Sequence, residues 1–114
     1  LVTKPPEPQF LYLTTTGWKS GRKHRIEIWF VEYENKFYIL SEGKERAHWI
    51  KNIMHNPRIL FSVGDKTFEG SARIMNARNE QELSGQIKEL MNAKYKWSDG
   101  LIAELAPRSP SGGR

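Results

Sequence analysis

Ile26-Glu-Ile-Trp-Phe-Val-Glu-Tyr-Glu-Asn-Lys-Phe-Tyr-Ile-Leu40 is the stretch that decides the fold. Ile26, Ile28 and Phe30 alternate with Glu27, Trp29 and Val31, the period of two expected of a half-buried strand. Glu34-Asn35 is a turn of two residues, and Phe37 to Leu40 is again apolar and β-branched or aromatic. A strand over 26–33 and a strand over 37–40 joined so tightly must run antiparallel. Upstream, Phe10-Leu-Tyr-Leu-Thr-Thr-Thr16 reads as another strand, closed by Gly17. Downstream, Ile59 to Val63 and Lys66 to Met75 form a second hairpin around Gly64-Asp65, and Leu101 to Leu105 fits a last strand.

Two segments have a helical period instead. From Lys44 to His55, Ala47, Ile50 and Met54 lie on one face with Ile53 beside them, and Asn56-Pro57 ends the run because proline disfavours helix at the residue before it. In the second, Leu83, Ile87, Leu90 and Met91 make an apolar stripe. Asn79, with Glu82 three residues on, has the pattern of a capping box at its start. About six short antiparallel strands and two helices describe a mainly β, α+β domain. A closed or half-closed barrel is the expected architecture, although a sandwich gives a similar string.

At 114 residues the chain has room for one domain. The expected organisation is an extended, proline-containing lead-in over 1–9, a barrel domain over 10–107 and a disordered tail over 108–114. With no cysteine, disulfides, cysteine-ligated metals and thiol nucleophiles are excluded. His24, His48 and His55 are scattered without carboxylate partners at helical spacing, so no metal site is expected. No apolar run reaches the ~20 residues of a membrane span, the start does not read as a signal peptide, and a cytoplasmic protein is expected.

The net charge of +5 is unevenly placed. Residues 1–25 carry five basic and one acidic side chain, while the remaining 89 carry thirteen and twelve. The surplus sits in Lys19, Arg22, Lys23 and Arg25, with His24 among them. A cluster this short matches one or two phosphate groups and not a duplex footprint. Gly17 and Gly21 bracket Lys19 and Ser20 between two strands, which allows backbone, hydroxyl and ammonium to approach one anion.

The combination Thr14-Thr-Thr-Gly-x-Lys-Ser-Gly21, the basic residues after it, Trp29-Phe30, and His48-Trp49-x-x-Asn52-x-x-x-Asn56-Pro57 resembles the deazaflavin (F420)-dependent nitroreductase family. That family belongs to the flavin/deazaflavin oxidoreductases, whose fold is the FMN-binding split β-barrel of pyridoxamine 5′-phosphate oxidase. The resemblance runs from about Phe10 to Pro107. It implies that Lys19, Ser20, Arg22, His24 and Arg25 hold the cofactor's phosphate. It implies also that Ser41, Gly43, His48, Trp49 and Asn52, with Trp29 on the neighbouring strand, line the ring and its ribityl chain. Tyr95 and Trp97 would border the substrate; Tyr95 is the candidate if a proton donor is needed, with solvent water as the plainer choice.

Two departures stand out. His24 takes the place of an arginine in many relatives, with Arg25 next to it, and Glu42 lies in a short loop near the ring. The implied activity is hydride transfer to a small acceptor such as a quinone or nitro compound, with F420 as cofactor and FMN as the alternative. A homodimer is expected, since a domain this small buries little surface alone. A non-catalytic cofactor carrier and an OB-like nucleic-acid-binding barrel are the competing classes.

Overall fold

In the computed structural model, residues 8–43 and 46–108 are described. Most of the expected lead-in and nearly all of the expected tail fall outside them. Seven strands and two helices follow in the order β1 (Leu11–Thr16), β2 (Lys23–Ile28), β3 (Phe30–Tyr33), β4 (Lys36–Ser41), α1 (His48–His55), β5 (Arg58–Val63), β6 (Lys66–Ile74), α2 (Gln81–Tyr95) and β7 (Leu101–Pro107).

The seventh strand appears because the stretch 26–33 is not one strand. It breaks at Trp29, and its halves join different neighbours: β2 pairs antiparallel with β1, with Leu13 opposite Ile26, and β3 pairs antiparallel with β4, with Phe30 opposite Ile39. The sheet order is β2-β1-β5-β6-β7-β4-β3, so the two edge strands are consecutive in the chain. A single residue joins them, which requires the sheet to curl until its edges meet. The result is a split barrel whose seam is Trp29.

Curling creates an inside and an outside, and the apolar residues divide between them. Leu11, Leu13, Phe30, Phe37, Ile39, Phe61, Ala103 and Leu105 fill the barrel, and Ile50 and Ile53 of α1 close over one end. Outside, α2 lays Ile87 and Met91 against Val31, Tyr38, Leu40 and Ile102. Both faces of β4 are therefore covered, and Phe37 to Ser41 are buried without alternation. Burial of this kind contributes roughly 1.5–3 kcal/mol per large apolar side chain and is the main force closing the barrel.

The β3–β4 turn places Glu34 and Asn35 at positive φ (49° and 66°), the twist that a two-residue hairpin needs. Three local expectations differ. The helix expected over 44–55 starts only at His48, and Met54 is exposed, its position lying off the Ile50–Ile53 face. Asn79 does not cap α2; the N-cap residue is Glu80, and neither forms a side-chain cap. The turn is organised by Asn76, whose Oδ1 accepts from the backbone of Arg78 (3.0 Å), while Glu80 is drawn away to Arg73 (2.6 Å).

Candidate functional site

The loop from Gly17 to Arg22 is folded by its own backbone. The N–H of Gly17 donates to the Arg22 carbonyl (2.7 Å), and that of Gly21, at φ 72°, donates to the Gly17 carbonyl (2.9 Å). Ser20 Oγ accepts from the N–H of Arg22 (3.1 Å). Asn52 of α1 pins the loop from below: its Nδ2 donates to Thr15 Oγ1 (2.9 Å) and its Oδ1 accepts from the N–H of Trp18 (3.0 Å). Asn52 is only 4% exposed, and its bond to Thr15 is buried while that from Trp18 is partly so. The backbone N–H groups of Lys19 and Ser20 are left over, with no protein acceptor among the described residues. A Cβ at Gly17 would lie 2.7 Å from Ser20 Oγ and 2.8 Å from His24 Nε2, so any larger residue would displace both side chains that line the cleft.

Between this loop, β2 and the exposed side of α1 lies a cleft of about 450 Å³, within the usual range for ligand pockets. Lys19, Ser20, His24, Ile26, His48, Trp49, Lys51 and Asn52 line it with Thr15, Gly17 and Trp18. Trp18 gathers the charges: Lys19 Nζ is 4.7 Å and Lys51 Nζ 6.0 Å from its ring centroid, and His55 stacks on it at 4.9 Å. Among the described residues neither lysine has a carboxylate within ion-pair reach. Two ammonium groups without a carboxylate partner among the described residues, beside two N–H groups without an acceptor, are chemistry suited to an anion.

Six of the expected cofactor residues thus meet in one cleft: Lys19, Ser20, His24, His48, Trp49 and Asn52. The others stand elsewhere. The Arg22 side chain does not line the cleft, and Arg25 lies over the Tyr12 ring at 4.3 Å on the outer face of β2. Adjacent strand residues face opposite ways, and the register gives the inward position to His24. Ser41 is buried at the end of β4 and Gly43 lies in the turn after it.

Trp29, Tyr95 and Trp97 form a separate aromatic group at the seam. Trp29 stacks on Tyr95 at 4.5 Å and 6°, and meets Trp97 edge-on at 5.8 Å. The Tyr95 hydroxyl accepts from the N–H of Phe30 (3.0 Å) and lies 2.8 Å from the Gln9 carbonyl and 2.9 Å from that of Phe30. It is committed to holding the seam, so the expectation of a proton donor finds no support in this geometry. Lys51 and Trp18 were not anticipated. Lys51 falls one helical turn after His48, a signal that also describes any solvated helix face.

The sequence profile of the F420H(2)-dependent quinone reductase family matches residues 2–100. No curated protein matches the chain in sequence. Solved structures with similar folds include an F420-H2 dependent reductase (23% identity, TM-score 0.66, covering 91% of this chain and 98% of that one). Another is a provisionally named pyridoxamine 5′-phosphate oxidase from Listeria innocua (14%, 0.69, 89% and 85%), and a third the heme storage protein HutZ from Vibrio cholerae (19%, 0.71, 90% and 84%). At such identities the likeness is one of fold, the pyridoxamine 5′-phosphate oxidase-like split barrel. None of these matches points specifically to FMN, and the matching family is described by quinones, one of the two acceptor classes that the resemblance implied.

Proposed function

The chain belongs to the F420H(2)-dependent quinone reductase family and is an F420-dependent oxidoreductase, and from that premise we propose that it holds F420 by its phosphate in the basic cleft and reduces a quinone or a nitro compound. One observation supports the placement: Lys19 and Ser20, whose N–H groups have no protein acceptor among the described residues, line the same cleft as Lys51, and neither lysine has a carboxylate partner among those residues. The residues fit the group. The backbone and both ammonium groups meet the phosphate, His24 adds a ring nitrogen, and Trp49, half-buried at the start of α1, offers an apolar wall.

From His24 to Ile28 along β2 the strand rises roughly 13 Å. That span leads from the basic cleft to a second cavity beside Trp29, so an elongated cofactor can keep its phosphate at one end and its ring toward Ser41, Gly43 and the seam. When bound, the deazaflavin supplies the hydride. Trp29 and Trp97 then position a flat acceptor against it, and water supplies the proton that completes a reduced quinone, since Tyr95 is engaged with the backbone.

A homodimer belongs with this reading. Phe10, Tyr12 and Leu60 are 37–41% exposed on a small domain, and a second copy is the simplest cover. Light scattering is expected to give about twice the 13.3 kDa chain mass; a monomer at working concentration would remove the dimer from the proposal.

The deciding experiment for the cofactor is a fluorescence titration with F420 and, separately, with FMN, followed by addition of a quinone to the F420H2-loaded protein. Binding of F420 in preference to FMN, and consumption of F420H2 on adding quinone, is the expected result. A protein that binds neither cofactor would sink the reading.

A further inference from the structure

The second cavity, about 500 Å³, opens where β2 gives way to β3. Trp29 and Trp97 are its aromatic walls, with Phe10 and Leu40 beside them. Tyr95, stacked face to face on Trp29, fixes the tilt of that indole. The titratable side chains that line the cavity are both carboxylates, Glu27 and Glu42. Glu27 spends one oxygen on the Tyr12 hydroxyl (2.9 Å), and Glu42 has no hydrogen bond or ion pair among the described residues. Among the described residues no cation lines the cavity. Two cations on neighbouring elements are engaged elsewhere, Arg25 over Tyr12 and Lys94 donating to the Phe30 carbonyl (3.1 Å).

We propose that this cavity selects a planar organic cation. The face of an indole is electron-rich and attracts a positive charge held within ~6 Å of the ring centroid. Two carboxylates at the same rim add a field of the same preference, focused by low-dielectric walls. The pocket is thus the electrostatic opposite of the basic cleft on the same strand. As a statement about turnover, that the acceptor reduced is preferably a cationic aromatic, the inference rests on the reading of Trp29 and Trp97 as the acceptor side. As a statement about binding it stands alone.

Isothermal titration of the full chain, without F420, compares N-methylquinolinium with 4-methylquinoline above neutral pH, where the latter is uncharged. The two probes share a shape and differ by one charge. The cation is expected to bind about tenfold more tightly, and the preference to shrink in high salt because both carboxylates are reachable by solvent. The double variant Glu27→Gln with Glu42→Gln should bring the two probes close to equal affinity while the fold, read by circular dichroism, is unchanged. Trp97→Leu should weaken the cation more than the neutral probe. Equal binding to the native chain, or a preference that survives the double variant, would overturn the proposal. Because F420 is left out, a failure here leaves the cofactor assignment standing, and a failed cofactor titration leaves this inference standing.

Discussion

At the scale of single residues, function depends on which side chains the register turns toward the cleft. Lys19 and His24 reach it, while Arg22 and Arg25, the stronger bases of the same short stretch, do not. A charge-assisted hydrogen bond contributes about 1.5–3 kcal/mol, so Lys19→Ala or Lys51→Ala should each weaken F420 binding about tenfold or more, whereas Arg22→Ala should change it little. Fluorescence titration of F420 checks this, and an Arg22→Ala loss as large as that of Lys19→Ala would move the phosphate out of the cleft. The sequence could place Lys19 because glycines on either side mark a loop that approaches an anion. It could not choose between His24 and Arg25, because strand alternation says only that they differ, and the pairing of Thr15 with His24 decides which one points in. Lys51 was invisible for another reason: its partner across the cleft is thirty residues away.

At the scale of elements, the informative feature is the break at Trp29. Ile26 to Tyr33 alternates as one strand would, and local periodicity carries no sign of an interruption. The break exists because β2 has its partner in β1 and β3 in β4, and the two partners lie on opposite sides of the barrel. Tyr95 holds that junction from α2 through both the N–H and the carbonyl of Phe30. Tyr95→Phe should therefore cost about 1–2 kcal/mol, a fall in Tm of about 5–10 °C for a domain of this size, with kcat on a quinone nearly unchanged. A thermal melt and a steady-state assay check both arms; a large loss of kcat with an unchanged Tm would return Tyr95 to the chemistry. The Asn79 cap failed for a similar reason. Arg73, at the end of β6, captures Glu80 and leaves Asn76 to make the turn; the residues are close in sequence, but their pairing depends on how β6 leads into α2 and not on a capping motif.

At the scale of the whole molecule, one polar network ties β4, β6 and β7 to the start of α2. Glu104, 5% exposed, accepts from the Tyr38 hydroxyl (3.0 Å) and from Arg73 Nε (3.0 Å), with Lys36 at 3.6 Å. Arg73 also makes a two-pronged contact with Glu80. Burial pushes the Glu104 carboxyl up, but the Arg73 and Tyr38 hydrogen bonds outweigh it and hold it below its ordinary range. Hydrogen bonds from Arg73, then from the Asn76 backbone, bring Glu80 down to about 2. Both carboxyls bind protons more weakly folded than unfolded. Their contribution to stability is full above the ordinary carboxylate value of 4.5 and drains as pH falls toward 2. Thermal melts from neutral pH downward should show Tm falling through that window, and Arg73→Met should lower Tm at neutral pH while flattening the acid slope. An acid slope identical in Arg73→Met would show that other carboxylates govern it.

By itself the sequence determined what short-range physics can determine: that the chain is built from short antiparallel strands with two amphipathic helices, and that a glycine-bracketed basic loop joins the first two strands. It also carried the motif that led to a deazaflavin-dependent reductase. Period, turn residues and local charge are all written within a few positions of one another. The tertiary structure alone decided where one strand becomes two, which of two neighbouring basic residues faces the cleft, and that an acidic aromatic cavity lies along the same strand as a basic one. Those outcomes depend on pairings between strands far apart in the chain, β1 with β5 and β4 with β7, which closure of the barrel selects by burying both sets of apolar residues at once.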